Sequence, residues 1–437
     1  MITESASPQR RFLFLQGLAS MFFRRLGESL DARGHTVLRL NLNAGDWMFW
    51  RRGNAFGYRG TAEDWPAYIA AFMARHEVTD VVLFGDCRPM HRQAIKACER
   101  MRISVHVVEE GYLRPDWVTI ERGGVNGHSS LPRDPAWFLE TAAALPPVAD
   151  IDPIPSSFRR RAREDLIYNI TAMALWWMHP HYRTHRPWHP LVEYAGWGWR
   201  LWHKASARRR ARAHVAELSE RSCRFLFPLQ LDCDSQIRLH SPFAGMHAAI
   251  ETVLQSFAAH APPEAVLVVK EHPLDNGLVN WRRFVCGVAD RLGIAARIVY
   301  LEDGDIAKLV RLATGVVTVN STTGTFALTA GVPVITLGDA IYDLQGLTFQ
   351  GSLDRFWSAP TRPDAALFDA FRRVLVSRCL VRGGFFSDEG IDMLVQGAVM
   401  RLEAVAPAPA SRRVQAASVL RRQYKMGSSQ TVAAQLR

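Results

Sequence analysis

The sequence predicts an α/β protein built from two Rossmann-like halves. Three observations carry that prediction. Short apolar runs alternate with amphipathic ones over residues 1–150, the rhythm lapses between 151 and 222, and it returns from 223 to 363. Strands and helices alternating at this spacing build βαβ units on a parallel sheet. The 437 residues suffice for two or three domains of about 150 residues each. With 48% apolar and 22% charged residues, the composition is that of a globular chain with real cores.

In the first half the expected elements are strand 11–17, helix 21–33, strand 36–42, helix 62–76, strand 78–86, helix 90–101 and strand 103–111. Ligands on parallel sheets sit beyond the carboxyl ends of the strands. Those ends carry Gly17, Asn41 to Asp46, Gly85-Asp86 and Glu109-Glu110-Gly111. In the second half strands are expected at 224–230, 265–273, 296–303, 315–321 and 332–338, with helices at 243–260, 280–292, 304–312 and 324–331. A shorter helical piece, 364–403, follows. The Ala/Pro-rich basic stretch 404–437 reads as a mobile tail. No internal sequence repeat is read, although the halves share a topology. Two such halves facing a cleft, joined by a helical linker, make the GT-B glycosyltransferase architecture.

The interval 151–222 has another character. Six of the 13 tryptophans fall between Trp176 and Trp202, and residues 151–215 carry 12 Lys/Arg against 4 Asp/Glu. Aromatic rings mixed with cations suit a bilayer interface. The alternatives are a helical linker whose tryptophans pack on the core, and a surface for single-stranded nucleic acid. The net charge of +11 favours an anionic partner. No RNA-binding signature accompanies it, so nucleic acid is not expected. No run of 18 apolar residues appears, which argues against a spanning helix, and "MITESASPQRRFLFLQG" lacks the pattern of a signal peptide. Six cysteines without a CxxC pair fit reduced thiols in the cytoplasm and no structural zinc.

Four groups carry chemistry. In "VLVVKEHPLDNG" a buried-looking strand ends in Lys270-Glu271-His272-Pro273. Lys270 and His272, two apart on a strand, leave the same face and reach one anionic ligand, while Pro273 stops the strand; a capped turn with a salt-bridged lysine is the plainer reading. In "VNSTTGTFALTAG", Ser321, Thr322 and Thr323 open a helix, where N–H groups and hydroxyls bind phosphate, and Gly324 permits close approach; ordinary N-capping is the alternative. In "QLDCDSQIR", Asp232 and Asp234 follow a strand, and one can attack an anomeric carbon; the rivals are Mg²⁺ ligation and an Asx-turn. In "VVEEGYLRPDW", Glu109 or Glu110 supplies an acid or base, with Gly111 turning the chain and Arg114 and Asp116 orienting the carboxylate; a solvated strand end is the alternative.

Together with "LNLNAGDWMFWRR", "YRGTAEDWPAY" and "LFGDCRPMHRQAI", these segments resemble the KpsS/LipB-type capsule polysaccharide proteins of Gram-negative bacteria, over residues ~11 to ~400. The resemblance implies a retaining β-Kdo (3-deoxy-D-manno-octulosonic acid) transferase that moves Kdo from CMP-Kdo to lyso-phosphatidylglycerol. It implies that Asp234, with Asp232 second, is the nucleophile and that Glu110 or Glu109 is the acid/base. Lys270, His272, Pro273, Ser321, Thr322, Thr323 and Gly324 would then hold CMP. Arg238 suits the sugar carboxylate, since a guanidinium fork matches it. No cofactor and no metal are expected, because CMP leaves with little need of protonation. The implied place is the cytoplasmic face of the inner membrane, beside other capsule assembly proteins. The rival expectation is a non-catalytic component of the export machinery.

Overall fold

The computed structural model describes residues 9–150, 152–184, 186–219, 223–232, 235–404 and Lys425. The chain divides into two compact units. One comprises Met1–Leu131, Val148–His185 and Leu375–Ala410; the other comprises Pro132–Pro147, Arg186–Val374 and Ser411–Arg437. The interval expected as a segment of its own, 151–222, is thus shared between them, and so is the expected 364–403 piece. The expected tail lies outside the described residues apart from Ala404 and Lys425.

The first unit is ordered by β1 (Arg11–Phe14), β2 (Thr36–Asn41), β3 (Ala55–Gly57), β4 (Asp80–Phe84), β5 (Ser104–Glu110) and β6 (Trp117–Arg122). β3-β2-β1-β4-β5 run parallel, and β6 turns back antiparallel on β5. The near-continuous apolar reading of β1 and β4 follows from burial on both faces of a parallel sheet. The second unit holds β7 (Arg224–Pro228), β8 (Val266–Lys270), β9 (Ile298–Leu301), β10 (Gly315–Thr318) and β11 (Val334–Thr336), all parallel in the order β11-β10-β7-β8-β9. Its core gathers Phe225, Phe227, Ile250, Phe257, Val269, Trp281, Ile335 and Trp357.

The chain then returns to the first unit. β12 (Leu380–Arg382) pairs with β6, and helix Asp388–Glu403 packs on helix Phe22–Ala32. Ile391, Leu394 and Ala398 enter the core of Phe12, Phe14, Phe22 and Leu26. Ion pairs Arg25–Asp388 at 2.6 Å and Arg33–Glu403 at 2.7 Å edge the contact.

The expected strands are present, yet most end two or three residues early, because the polar residues that follow leave the ladder to form loops. β8 is the instructive case. It ends at Lys270, so His272 does not share a strand face with it; His272 sits in a turn where its carbonyl accepts the Asp275 N–H at 3.1 Å. The first strands of the two units also share a short sequence: both begin Arg-Phe-Leu-Phe, at 11–14 and 224–227.

Candidate functional site

In the second unit three of the four motifs leave three neighbouring parallel strands at the same edge. Ser321 follows β10, Asp232 follows β7 and His272 follows β8. The chain crosses sheet halves between β7 and β10, the place where open α/β sheets bind ligands. There Gln230 and Asn320 form a two-way pair: Gln230 Nε2 donates to Asn320 Oδ1 at 2.9 Å, and the Asn320 N–H donates to Gln230 Oε1 at 3.1 Å. This pair ties the loop of the aspartates to the loop of the hydroxyls.

Beyond β10, the Ser321 hydroxyl accepts the Thr323 N–H at 3.1 Å and so caps helix Thr323–Thr329. Thr322 stands at the N-cap without a side-chain capping bond, and both Ser321 and Thr322 are half-buried. Gly324 serves another purpose than the one expected. A β-carbon there would collide with the ring and hydroxyl of Tyr342, which itself donates to the Ser321 carbonyl at 2.5 Å. The glycine makes room for a tyrosine that braces the loop.

Beyond β8, Lys270 is buried at 5% exposure, and its ammonium donates to the Glu271 carbonyl at 2.7 Å. Burial pushes its pKa down to about 8, against the pull of Glu271 and Asp303. Burial likewise raises the Glu271 carboxyl, which accepts from Tyr300 Oη at 2.6 Å and pairs with Arg200 at 3.0 Å. His272 Nδ1 accepts the Leu274 N–H at 3.0 Å. In the neutral ring that places the proton on Nε2 and makes it a donor. Pro273 is exposed beside it. Arg200 also donates to the carbonyls of His272, at 3.1 Å, and of Asp275. Sequence reasoning missed this clamp because Arg200 lies in the Trp/Arg interval, some seventy residues before the turn it holds.

Beyond β7, Asp232 is committed: its Oδ1 accepts the Met246 N–H at 2.7 Å, at the start of helix Met246–His260, and Arg238 lies 3.7 Å from its Oδ2. Arg238 is exposed. Asp234 lies outside the described residues.

The fourth motif belongs to the first unit, at the end of β5. Glu109 and Glu110 are paired with Thr119 and Val118 of β6 and leave opposite faces of the strand. Both Glu110 oxygens are engaged, by Arg114 at 2.9 Å and by Arg161 at 3.0 Å. Glu109 points toward Gly85, where a β-carbon would stand 3.3 Å from its Oε2. Gly111 is required by the turn, since a β-carbon would collide with the Trp117 carbonyl. Arg114 orients Glu110 as expected. Asp116 does not: its carboxylate accepts the Ile154 N–H at 2.8 Å instead.

Residues 79–386 match the family described as capsule polysaccharide biosynthesis protein. The chain belongs to the capsule polysaccharide biosynthesis family. It is 33% identical over 383 residues to the capsule polysaccharide export protein KpsS of Escherichia coli, covering 86% of this chain and 97% of that one. It is 32% identical over 391 residues to the capsule polysaccharide modification protein LipB of Neisseria meningitidis serogroup A, covering 86% and 91%. Among solved structures it is similar to Thermosulfurimonas dismutans KpsC, beta Kdo 2,7 transferase, at 14% identity and a TM-score of 0.43, covering 90% of this chain and 99% of that one. The expected kinship with KpsS/LipB-type proteins stands, and the two Rossmann-like units are the halves that a GT-B reading requires. All four candidate groups of this capsule family member fall inside the matched segment.

Proposed function

We propose that this capsule protein is a retaining glycosyltransferase that moves Kdo from CMP-Kdo to lyso-phosphatidylglycerol. The observation that carries the reading is the convergence of Ser321, Asp232 and His272 at the edge of three adjacent strands, joined by the Gln230–Asn320 pair. A phosphate meets hydroxyls and the Nε2–H of His272 there, and Lys270 lies directly beneath the turn at the end of β8. Arg238 takes the sugar carboxylate.

The chemistry runs in two displacements. A carboxylate oxygen of Asp234 bonds to the anomeric carbon as its bond to the CMP phosphate breaks. The acceptor hydroxyl then attacks that carbon, the carboxylate leaves, and the hydroxyl proton passes to a base. Two inversions retain the configuration. Asp232 is the weaker nucleophile candidate because its carboxylate already caps a helix. Glu109 is favoured over Glu110 as the base, because Glu110 would have to break two ion pairs to turn toward a substrate. CMP needs little protonation to leave, so the scheme uses no metal.

The test is incubation of the full chain with CMP-Kdo and lyso-phosphatidylglycerol. One Kdo residue added to the lipid, with an equivalent of CMP released, is the expected result in mass spectrometry. His272→Ala should weaken CMP binding about tenfold, the value of one charge-assisted hydrogen bond. The E. coli relative is called an export protein; absence of both lipid product and CMP release would favour that non-catalytic reading.

A further inference from the structure

The helix Pro190–Ser219 has two faces with different commitments. Its inner face holds the donor turn. Arg200 clamps Glu271, His272 and Asp275, and a β-carbon at Gly196 would collide with the Asn276 carbonyl. Farther along, Arg208 pairs with Asp303 at 2.9 Å and Arg210 with Glu302, while Ala211 and Leu218 are buried. Two of the three adjacent arginines 208–210 are therefore engaged within the protein.

The outer face is apolar and unusually exposed. Leu191, Trp199 and Trp202 are 61%, 67% and 85% exposed, flanked by Leu201 at 57%. Leu191, Ala195, Gly198, Trp202 and Ala205 recur at helical spacing on one stripe. The stripe runs on into Arg209, with Arg212 at its margin, both exposed. From Leu191 to Trp202 it measures about 16 Å, too short to cross a bilayer, and no described helix is long and apolar enough to do so.

We infer that this face docks on an anionic phospholipid surface, with the helix lying in the plane of the interface. Indole rings and aliphatic side chains enter the acyl boundary while the cations meet headgroup phosphates, a division of labour that interfacial helices share. Because the inner face grips the turn that carries His272, docking sets that turn about one helix diameter, some 10 Å, from the lipid. The inference deepens the proposed function by supplying the surface that meets a lipid acceptor, and its test uses no sugar.

Full-length protein is sedimented with vesicles of phosphatidylcholine alone and of phosphatidylcholine with about one third phosphatidylglycerol. The parent protein should partition into the anionic vesicles, and salt should release it. Trp199→Ser with Trp202→Ser should lower partitioning about tenfold or more. Trp202→Phe should retain most of it. Arg209→Ser and Arg212→Ser should each lower it about fivefold. CMP titration of every variant should match the parent, which separates lost docking from lost folding and leaves the sugar chemistry to its own assay. Equal sedimentation of parent and double tryptophan variant overturns the inference. So does equal binding to neutral vesicles, or a double variant that alters the oligomeric state in light scattering while still binding lipid.

Discussion

The two units use the same strand to do different things. In each, the first strand begins Arg-Phe-Leu-Phe, stands between the two halves of its sheet, and is followed two residues later by a glutamine: Gln16 after β1, Gln230 after β7. In the first unit that glutamine is consumed by side chains. Arg88 donates to its Oε1 at 3.0 Å, and its Nε2 donates to Tyr168 and Tyr182 at 2.8 and 3.0 Å. Tyr168 Oη also accepts from Asn43 at 2.7 Å and donates to Asp46 at 3.1 Å. The switch point is thus filled by residues 148–185. In the second unit Gln230 binds its neighbour Asn320 instead, and half-buried hydroxyls and an imidazole stand at the strand ends. One scaffold therefore supports a crossing filled by side chains and one that we propose faces a ligand, and the difference lies in what the adjoining segments insert.

The largest test of this contrast is the nucleophile. Asp234→Ala should lower Kdo transfer by at least about 10³-fold with CMP binding intact. Asp232→Ala should instead cost about 1 kcal/mol of stability, as the loss of a helix cap does, with transfer largely kept. The pair is read by thermal melts beside the mass-spectrometric assay. Normal transfer by Asp234→Ala would remove the second unit's claim to the chemistry.

Much of this was legible without coordinates. Parallel strands buried on both faces announce themselves as apolar runs, and the four motifs mark the ends of such runs. What stayed hidden depends on partners far along the chain. β3 and β12 are three residues each, too short to show a period, and β12 exists because β6 lies beside it. β6 was hidden in the loop-like stretch after Glu110, since a Pro and an Asp precede it. Gly324 looks like a site of ligand approach in sequence; it makes room for Tyr342, as Gly45 does for Tyr168, contacts no local pattern can announce. In sequence Arg200 reads with its neighbours as a surface cation, though it closes the turn after β8.

Lys270 sharpens the contrast at intermediate size. Its folded pKa of about 8 lies below the ordinary lysine value. Between about pH 8 and the unfolded value near 10.5 the unfolded chain binds the extra proton, so stability rises with pH across that window. The full span is on the order of 3 kcal/mol. Lys270→Met should flatten the rise in denaturant titrations at pH 8, 9 and 10. Phosphate bound above the ammonium should draw a proton onto it, so CMP binding at pH 8 should take up protons, measured by calorimetry in buffers of different ionisation enthalpy. A binding enthalpy that ignores the buffer would place the phosphate away from Lys270.

The smallest expected effect probes the filled crossing. Tyr168→Phe deletes one hydroxyl and strips partners from Gln16, Asn43 and Asp46 at once. Leaving buried polar groups unpaired costs about 1–3 kcal/mol, and the outcome lies at the lower end because Gln16 keeps Tyr182 while Asp46 keeps Arg39 and the Leu42 N–H. Stability should therefore fall by about 1 kcal/mol while CMP affinity stays at the parent value. The informative comparison is with Asn320→Ala, which disturbs the corresponding glutamine of the second unit and should weaken CMP binding. If Tyr168→Phe weakened CMP binding as much as Asn320→Ala does, the first crossing would be a ligand site too, and the division of labour between the units would fail at its root.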